Sequence, residues 1–322
     1  MGVFLSHRSS YKYWQQAPTA EGLKAVRLHE QMHYTNNKAV NVLDGLSFLQ
    51  DVTVDLTVSQ AKARGESPKA RFHVNKRASN THKYYKISEG VSVSSPESCF
   101  LELAGVMTKV QLIVAGFTLC SKYYIQGDKL LARNPLTSVA RIRRYLEKHP
   151  RTESCKKALS ALLYVCDNSA SPMESFLAIA LVTPRRLGGY YIEKPLLNAQ
   201  IKSSNQGVML RKGFECDLLW VKHNVAVEYD SNMHHLGEAK FAQDSARRAG
   251  LQNCGIQVIT VTTKQFFNNG FFDEVARALA YFLHKHIQKS KPDFLGRRSE
   301  LLHYVSQCLH INKQNPMHLT AV

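Results

Sequence analysis

Five acidic residues stand at spacings suited to hydrolytic metal chemistry: Glu174, Asp217, Glu228, Asp230 and Asp244. Asp217 lies in the apolar string FECDLLWV, and Glu228 and Asp230 lie in NVAVEYDS. On a strand, residues two apart share a face, so Glu228 and Asp230 point one way and Val227 and Tyr229 the other. Ten residues separate Asp217 from Glu228, a distance at which a tight hairpin sets the two carboxylates side by side. Carboxylates gathered in this way repel one another, at a cost of roughly several kcal/mol when buried and unpaired. A divalent cation, Mg²⁺ or Mn²⁺, removes that repulsion: it takes carboxylate oxygens, keeps some of its waters and accepts phosphate oxygens. It also lowers the pKa of a bound water and stabilises charge on a phosphate under attack. Isolated acids more often cap elements or pair with cations such as Arg247 and Arg248. Three acids inside strands at this spacing favour the metal.

Asp244, Arg247, Arg248 and Leu251 follow the i, i+3, i+4, i+7 spacing of one helical face. Arg247 or Arg248 is placed to reach a phosphate or to lock an acid of the site. Asp244 and Arg248 also make a plain i, i+4 ion pair. Trp220 reads as core.

The elements that must carry these residues follow from periodicity and punctuation. Ser169–Pro172 is a turn and cap signal opening a helix over Pro172–Val182, which Pro184 ends. Gly188, Gly189 and Pro195 then mark a loop. Phe214–Val221 and Val225–Tyr229 read as a hairpin around Lys222–Asn224. Glu238–Asn253 reads as a helix stopped at Gly255, Ile256–Val261 as a buried strand and Phe271–Ile287 as an amphipathic closing helix. From Ser290 the chain is basic and polar and reads as a partly ordered tail. Upstream, Leu23–His33 and Ala39–Leu49 show helical patterns. Thr53–Val58, Ala70–Asn75 and Tyr84–Ile87 read as strands of a small β unit. Ser94 or Ser95, Pro96 and Glu97 open a helix with Phe100, Leu101 and Ala104 on its apolar face. Helices follow at Pro135–Lys148 and Lys156–Val165, the first with Arg141, Arg143 and Arg144 close together.

These elements predict an α/β (α+β) chain with a mixed β/helical domain over 1–167, a mixed sheet flanked by helices over 168–290 and a basic polar tail over 291–322. The length allows two domains. Forty-two lysines and arginines against 25 acids give a net charge of +17. Such an excess points to a polyanionic partner, because neutralised phosphates release counterions. The seven cysteines are scattered singly, with no CxxC or CxxH pair, which argues against a zinc site. An odd cysteine count and a start without an apolar signal core fit the cytoplasm. The apolar runs at Val110–Leu119 and Ala276–Leu283 are too short to span a bilayer, so no membrane partner is expected.

From Ser171 to Val261 the sequence carries SPMESFLAI, ECDLLWV, AVEYDSNMHH, DSARRAGLQNCG and IQVITVT in that order. In this order the motifs resemble the very-short-patch-repair-like endonuclease family of bacterial proteins. That resemblance implies a PD-(D/E)XK, restriction-endonuclease-like fold, with Asp217 and Glu228 as metal ligands and Glu174 as a further acid. It also implies a metal-dependent DNA endonuclease that hydrolyses or nicks DNA in defence or repair, with RNA left open as substrate. The lysine of the signature, two residues after the second acid, is Asp230 here. That removes the usual cation at the attacking water. His234 or His235 could serve instead as base or donor, and Lys240 is a weaker candidate. The front half is similar, more loosely, to AbiEi-type antitoxin and regulator proteins. This implies DNA or protein-partner binding there, and it keeps open a catalytically inactive, nucleic-acid-binding regulator.

Overall fold

In the computed structural model the chain divides into two compact units. The first comprises residues 1–120, 124–126 and 131–165, and the second 121–123, 127–130 and 166–322. The structure describes the chain except residues 1, 27, 29–44, 51, 62–63, 65–66, 76–82, 150–151, 202–213, 231–237, 288–291, 310–319 and 322; of residues 214, 238–244 and 320–321 it describes the backbone alone.

The first unit holds a mixed sheet of β1 (Val3–Leu5), β2 (Ala25–Val26), β3 (Val54–Val58), β4 (Ala70–Val74), β5 (Tyr84–Ser88) and β6 (Val91–Ser94), ordered β2-β5-β6-β1-β3-β4. Its helices are α1 (His7–Gln16), α2 (Pro96–Ala104), α3 (Lys109–Cys120), α4 (Val139–Glu147) and α5 (Glu153–Leu162). The start of α2 follows the sequence closely: Ser95 accepts a bond from Ser98 N, Pro96 opens the helix and Glu97 sits in its first turn. β1 and α1 were not anticipated, and the apolar run at Val110–Leu119 forms α3. The expected helix at Leu23–His33 is corrected at its start, where Ala25–Val26 is a strand. In the expected helix Ala39–Leu49 the described part is a short 3-10 turn, Ser47–Leu49. The remainder of both segments lies outside the described residues. A hairpin, β7 (Tyr123–Gln126) and β8 (Lys129–Ala132), turns on Gly127 at φ 60°.

The second unit is built on β9 (Leu196–Ile201), β10 (Phe214–Trp220), β11 (Val225–Asp230) and β12 (Gln257–Thr262), ordered β12-β11-β10-β9. β9, β10 and β11 run antiparallel, and β11 and β12 run parallel. A parallel pair needs a long crossover, which α7 (Glu238–Asn253) provides. Leu251 of that helix packs with Cys216, Leu219, Ala226 and Ile256, so one face of α7 is fixed on the sheet by a buried apolar anchor. Helix α6 (Pro172–Val182) precedes the sheet and is buried along its whole length. This explains its weak amphipathic pattern: a helix covered on every side has no polar stripe.

α8 (Thr263–Phe267), α9 (Asn269–Phe282) and α10 (Pro292–Cys308) complete the unit. Two expectations change here. The loop marked by Gly188, Gly189 and Pro195 is followed by a strand, β9, that was not anticipated. The expected polar tail is a helix over Pro292–Cys308, with Phe294, Arg298, Leu301, Leu302 and Val305 buried. Arg298 is fully buried; it donates to Asn269 Oδ1 and Phe266 O and lies 4.3 Å from the Phe272 ring centroid. A chain that reads as basic can therefore be core when its guanidinium finds carbonyl acceptors and aromatic faces. The mixed α/β class stands. Among the described residues no helix is long and apolar enough to cross a membrane.

Candidate functional site

The hairpin register pairs Leu218 with Val227. The next position out therefore sets Asp217 opposite Glu228, and directly opposed residues of an antiparallel pair point to the same face. Their carboxylates replace part of the backbone ladder. Asp217 Oδ2 accepts Tyr229 N at 2.8 Å, and Glu228 Oε1 accepts Asp217 N at 3.3 Å. Glu228 Oε2 lies 2.8 Å from Arg247 of α7, which also donates to Glu215 O.

Glu174 joins these two from the first turn of α6. Ser171 caps that helix by accepting Glu174 N at 3.2 Å. The Glu174 carboxylate bends back, and Oε2 accepts Ala170 N at 2.8 Å and Asn198 Nδ2 at 2.5 Å. Asn198 sits within β9 in the left-handed region, at φ 48°, and also donates to Asn168 O at 2.9 Å. A left-handed residue inside a strand is strained for any side chain but glycine, with asparagine among the better tolerated. This residue was missed by the sequence reading. The signal available for it was its place among polar residues alternating with Leu197, Ala199 and Ile201.

Burial and mutual charge shape the electrostatics. Burial, and then the charge of Asp217, push the Glu174 carboxyl up to about 7. Burial raises Asp217, and burial together with Asp217 raises Glu228 to about 7 although Arg247 pulls it down. Asp217 and Glu228 share their protons as a pair. Ionising these acids together is therefore resisted, and among the described residues Arg247 is the cation that meets them.

The other expected residues fall as follows. Asp230 ends β11, half-buried and in register with Thr262. Arg248 is exposed, so of the two arginines it is Arg247 that meets the acids. Lys240 and Asp244 lie on α7, but their side chains, like the whole of His234 and His235, lie outside the described residues. Lys122, which sequence reasoning passed over, lies 3.5 Å from Glu215 Oε1 on β10, two residues before Asp217.

No protein-family model matches the chain, and neither does any curated protein or solved structure at a significant level. The site must therefore be judged on its own chemistry. Its oxygen-only donors suit a hard divalent cation such as Mg²⁺ or Mn²⁺. Among the described residues no three acidic, His or Cys side chains already converge as a metal cage. The bonding gives the reason: Asp217 and Glu228 are drawn to backbone amides and to Arg247.

The first unit has a second polar cluster. His7, at φ 48°, stacks on His73 with ring centroids 3.6 Å apart, and His73 Nε2 lies 2.8 Å from Asp55 Oδ1. Burial pushes His7 down to about 3. Burial raises Glu102 to about 7 even though it accepts His7 N, Ser94 Oγ and Ser98 Oγ. These bonds fasten the start of α1 to the sheet and to α2.

Proposed function

We propose that the second unit is a metal-dependent endonuclease of the PD-(D/E)XK type that cuts DNA. The observation that carries this reading is the pairing of Asp217 and Glu228 across adjacent strands, with Glu174 of α6 near enough for the charge of Asp217 to raise it. Carboxylates raised in this way, one buried and two half-buried, cost stability, and a fold retains such a cost most readily at a functional site. The chain order α6-β9-β10-β11-α7-β12, with β12 parallel to β11, supports the nuclease-like fold.

Asp217 and Glu228 would hold the cation, with Glu174 as the third acid. The bound cation would lower the pKa of an attacking water and neutralise charge on the phosphate. Asn198 and Ala170 hold one oxygen of Glu174, which fixes the direction of the other. Leu251 keeps α7 against the sheet and so holds Arg247 within reach of the reacting phosphate. The net charge of +17 suits a phosphate backbone, and the first unit is proposed as a DNA- or partner-binding domain.

The replacement of the signature lysine by Asp230 favours a second reading, a nucleic-acid-binding regulator without activity. Nicking of supercoiled plasmid, with single-stranded DNA and RNA in parallel and EDTA as control, separates the two. Metal-dependent cleavage lost in Asp217→Asn supports the nuclease. DNA binding without cleavage under Mg²⁺ and Mn²⁺ supports the regulator.

A further inference from the structure

We propose that Arg247 is a displaceable counter-ion of this site. It neutralises Glu228 while no divalent cation is bound, and it turns to a phosphate oxygen of the substrate once the cation takes its place. The inference rests on the metal-site reading and goes beyond it in naming the group that gates the site.

Four observations lead here. Arg247 Nη2 lies 2.8 Å from Glu228 Oε2, the oxygen that does not accept Asp217 N. Each Glu228 oxygen therefore already accepts a bond, and the guanidinium charge 2.8 Å away opposes any cation that approaches the same carboxylate. The backbone amide of Asp217 is part of a strand and cannot leave. The Arg247 side chain is 42% exposed where that of Glu228 is 12%, so the arginine has room to turn away. Its backbone cannot move far, because Leu251, one turn along the helix, is buried against β10 and β11.

The position two residues after Glu228 is Asp230, so the strand itself supplies no cation beside the acids. A guanidinium reaching in from α7 fills that want, and its planar fork suits phosphate oxygens better than an ammonium does. Arg248, one residue on, is exposed. The two arginines of this helix thus have different tasks: Arg247 serves the acids, and Arg248 faces solvent.

A cation and an arginine competing for one carboxylate must be coupled. Removing the arginine should tighten metal binding, and neighbouring groups in one network commonly differ by about tenfold in such effects. An arginine that never leaves the acids would differ on the DNA side, where its loss would leave affinity for a duplex unchanged.

The test is calorimetric titration of Mn²⁺ into the full chain as wild type, Arg247→Met, Arg247→Lys and Asp217→Asn. Arg247→Met keeps the aliphatic stem and removes the charge. Circular dichroism of each variant establishes that it is folded. The expected result is Mn²⁺ binding about tenfold tighter in Arg247→Met, near wild type in Arg247→Lys and lost in Asp217→Asn. Affinity for a short DNA duplex, measured with Ca²⁺ present, should fall in Arg247→Met and recover in Arg247→Lys. Unchanged or weaker Mn²⁺ binding in folded Arg247→Met overturns the inference and leaves the metal site standing. Absence of Mn²⁺ uptake in the wild type overturns the metal site and the inference together. Should Arg247→Met not fold, Arg247→Gln takes its place under the same criteria.

Discussion

Replacing Glu174 by glutamine should make the metal-free protein more stable, and increasingly so as pH rises from 5 to 8. The carboxyl is 8% exposed and its folded pKa is raised from 4.5 to about 7, by burial first and by Asp217 second. The folded chain therefore holds its proton more tightly than the unfolded one. The stability this lends is complete below about 4.5 and is lost as pH rises through about 7. Each pH unit of that difference is worth about 1.36 kcal/mol. Linkage then puts the cost of ionised Glu174 at about 3 kcal/mol at pH 8 and about 1 kcal/mol at pH 5. Glutamine keeps the shape, and its carbonyl oxygen can still accept Ala170 N and Asn198 Nδ2, the bonds that Glu174 Oε2 accepts now. The gain over wild type should thus be about 2 kcal/mol larger at pH 8 than at pH 5. Urea unfolding in EDTA would measure it, in a Trp14→Phe background so that Trp220 alone reports. An equal gain at both pH values, or a loss at pH 8, would refute the account of Glu174 as a carboxylate held against its preference.

Three further outcomes follow from the same geometry. Asp217→Asn and Glu228→Gln each delete one charge while keeping size, and each should lower metal-dependent nicking by about 10²–10³ without loss of fold; plasmid assays and circular dichroism check this. Asn198→Gly keeps the left-handed backbone but removes the donor to Glu174, so it should cost about 1 kcal/mol, whereas Asn198→Ala adds backbone strain and should cost roughly 1 kcal/mol more; comparing the two in urea separates bond from strain. DNA affinity should fall steeply between low and physiological salt, with a log–log slope that is less steep by about 1 for each phosphate-contacting lysine or arginine removed, and a flat dependence would detach the net charge of +17 from phosphate binding.

Legibility followed local physics. The helix at Pro172–Val182 was readable because Ser171, Pro172 and Glu174 are cap signals that act within one turn. The hairpin carrying Asp217 and Glu228 was readable because its alternation and its turn are local too. β9 was not, since the short run Leu196–Ile201 follows directly on a proline-marked loop and is made a strand by its pairing with β10; its Asn198 is the residue that touches Glu174. The choice between Arg247 and Arg248 was also beyond the sequence. Helical spacing places both near one face, and only the seating of Leu251 on the sheet turns Arg247 toward the acids. The helix over Pro292–Cys308 was hidden by its charge: a buried arginine among aromatic rings looks, residue by residue, like a solvated basic run.

The second unit takes residues 121–123 and 127–130 from inside the span of the first, and this bears on how such a chain can be inherited. Tyr123 Oη bonds Ser175 Oγ at 3.1 Å, and Lys122 N donates to Ser169 O at 2.7 Å; these anchors flank the helix start that presents Glu174. A recombination event joining a foreign segment near residue 168 would carry off the acids and leave their buttress behind. Exchange of intact function would instead need a breakpoint upstream of residue 121, within or before α3, where it would strip a core helix from the donor's first unit. A graft of the second unit that starts near residue 166 would therefore lack residues that belong to it, and one meant to keep the support of the Glu174 helix start must carry residues 121–130 as well.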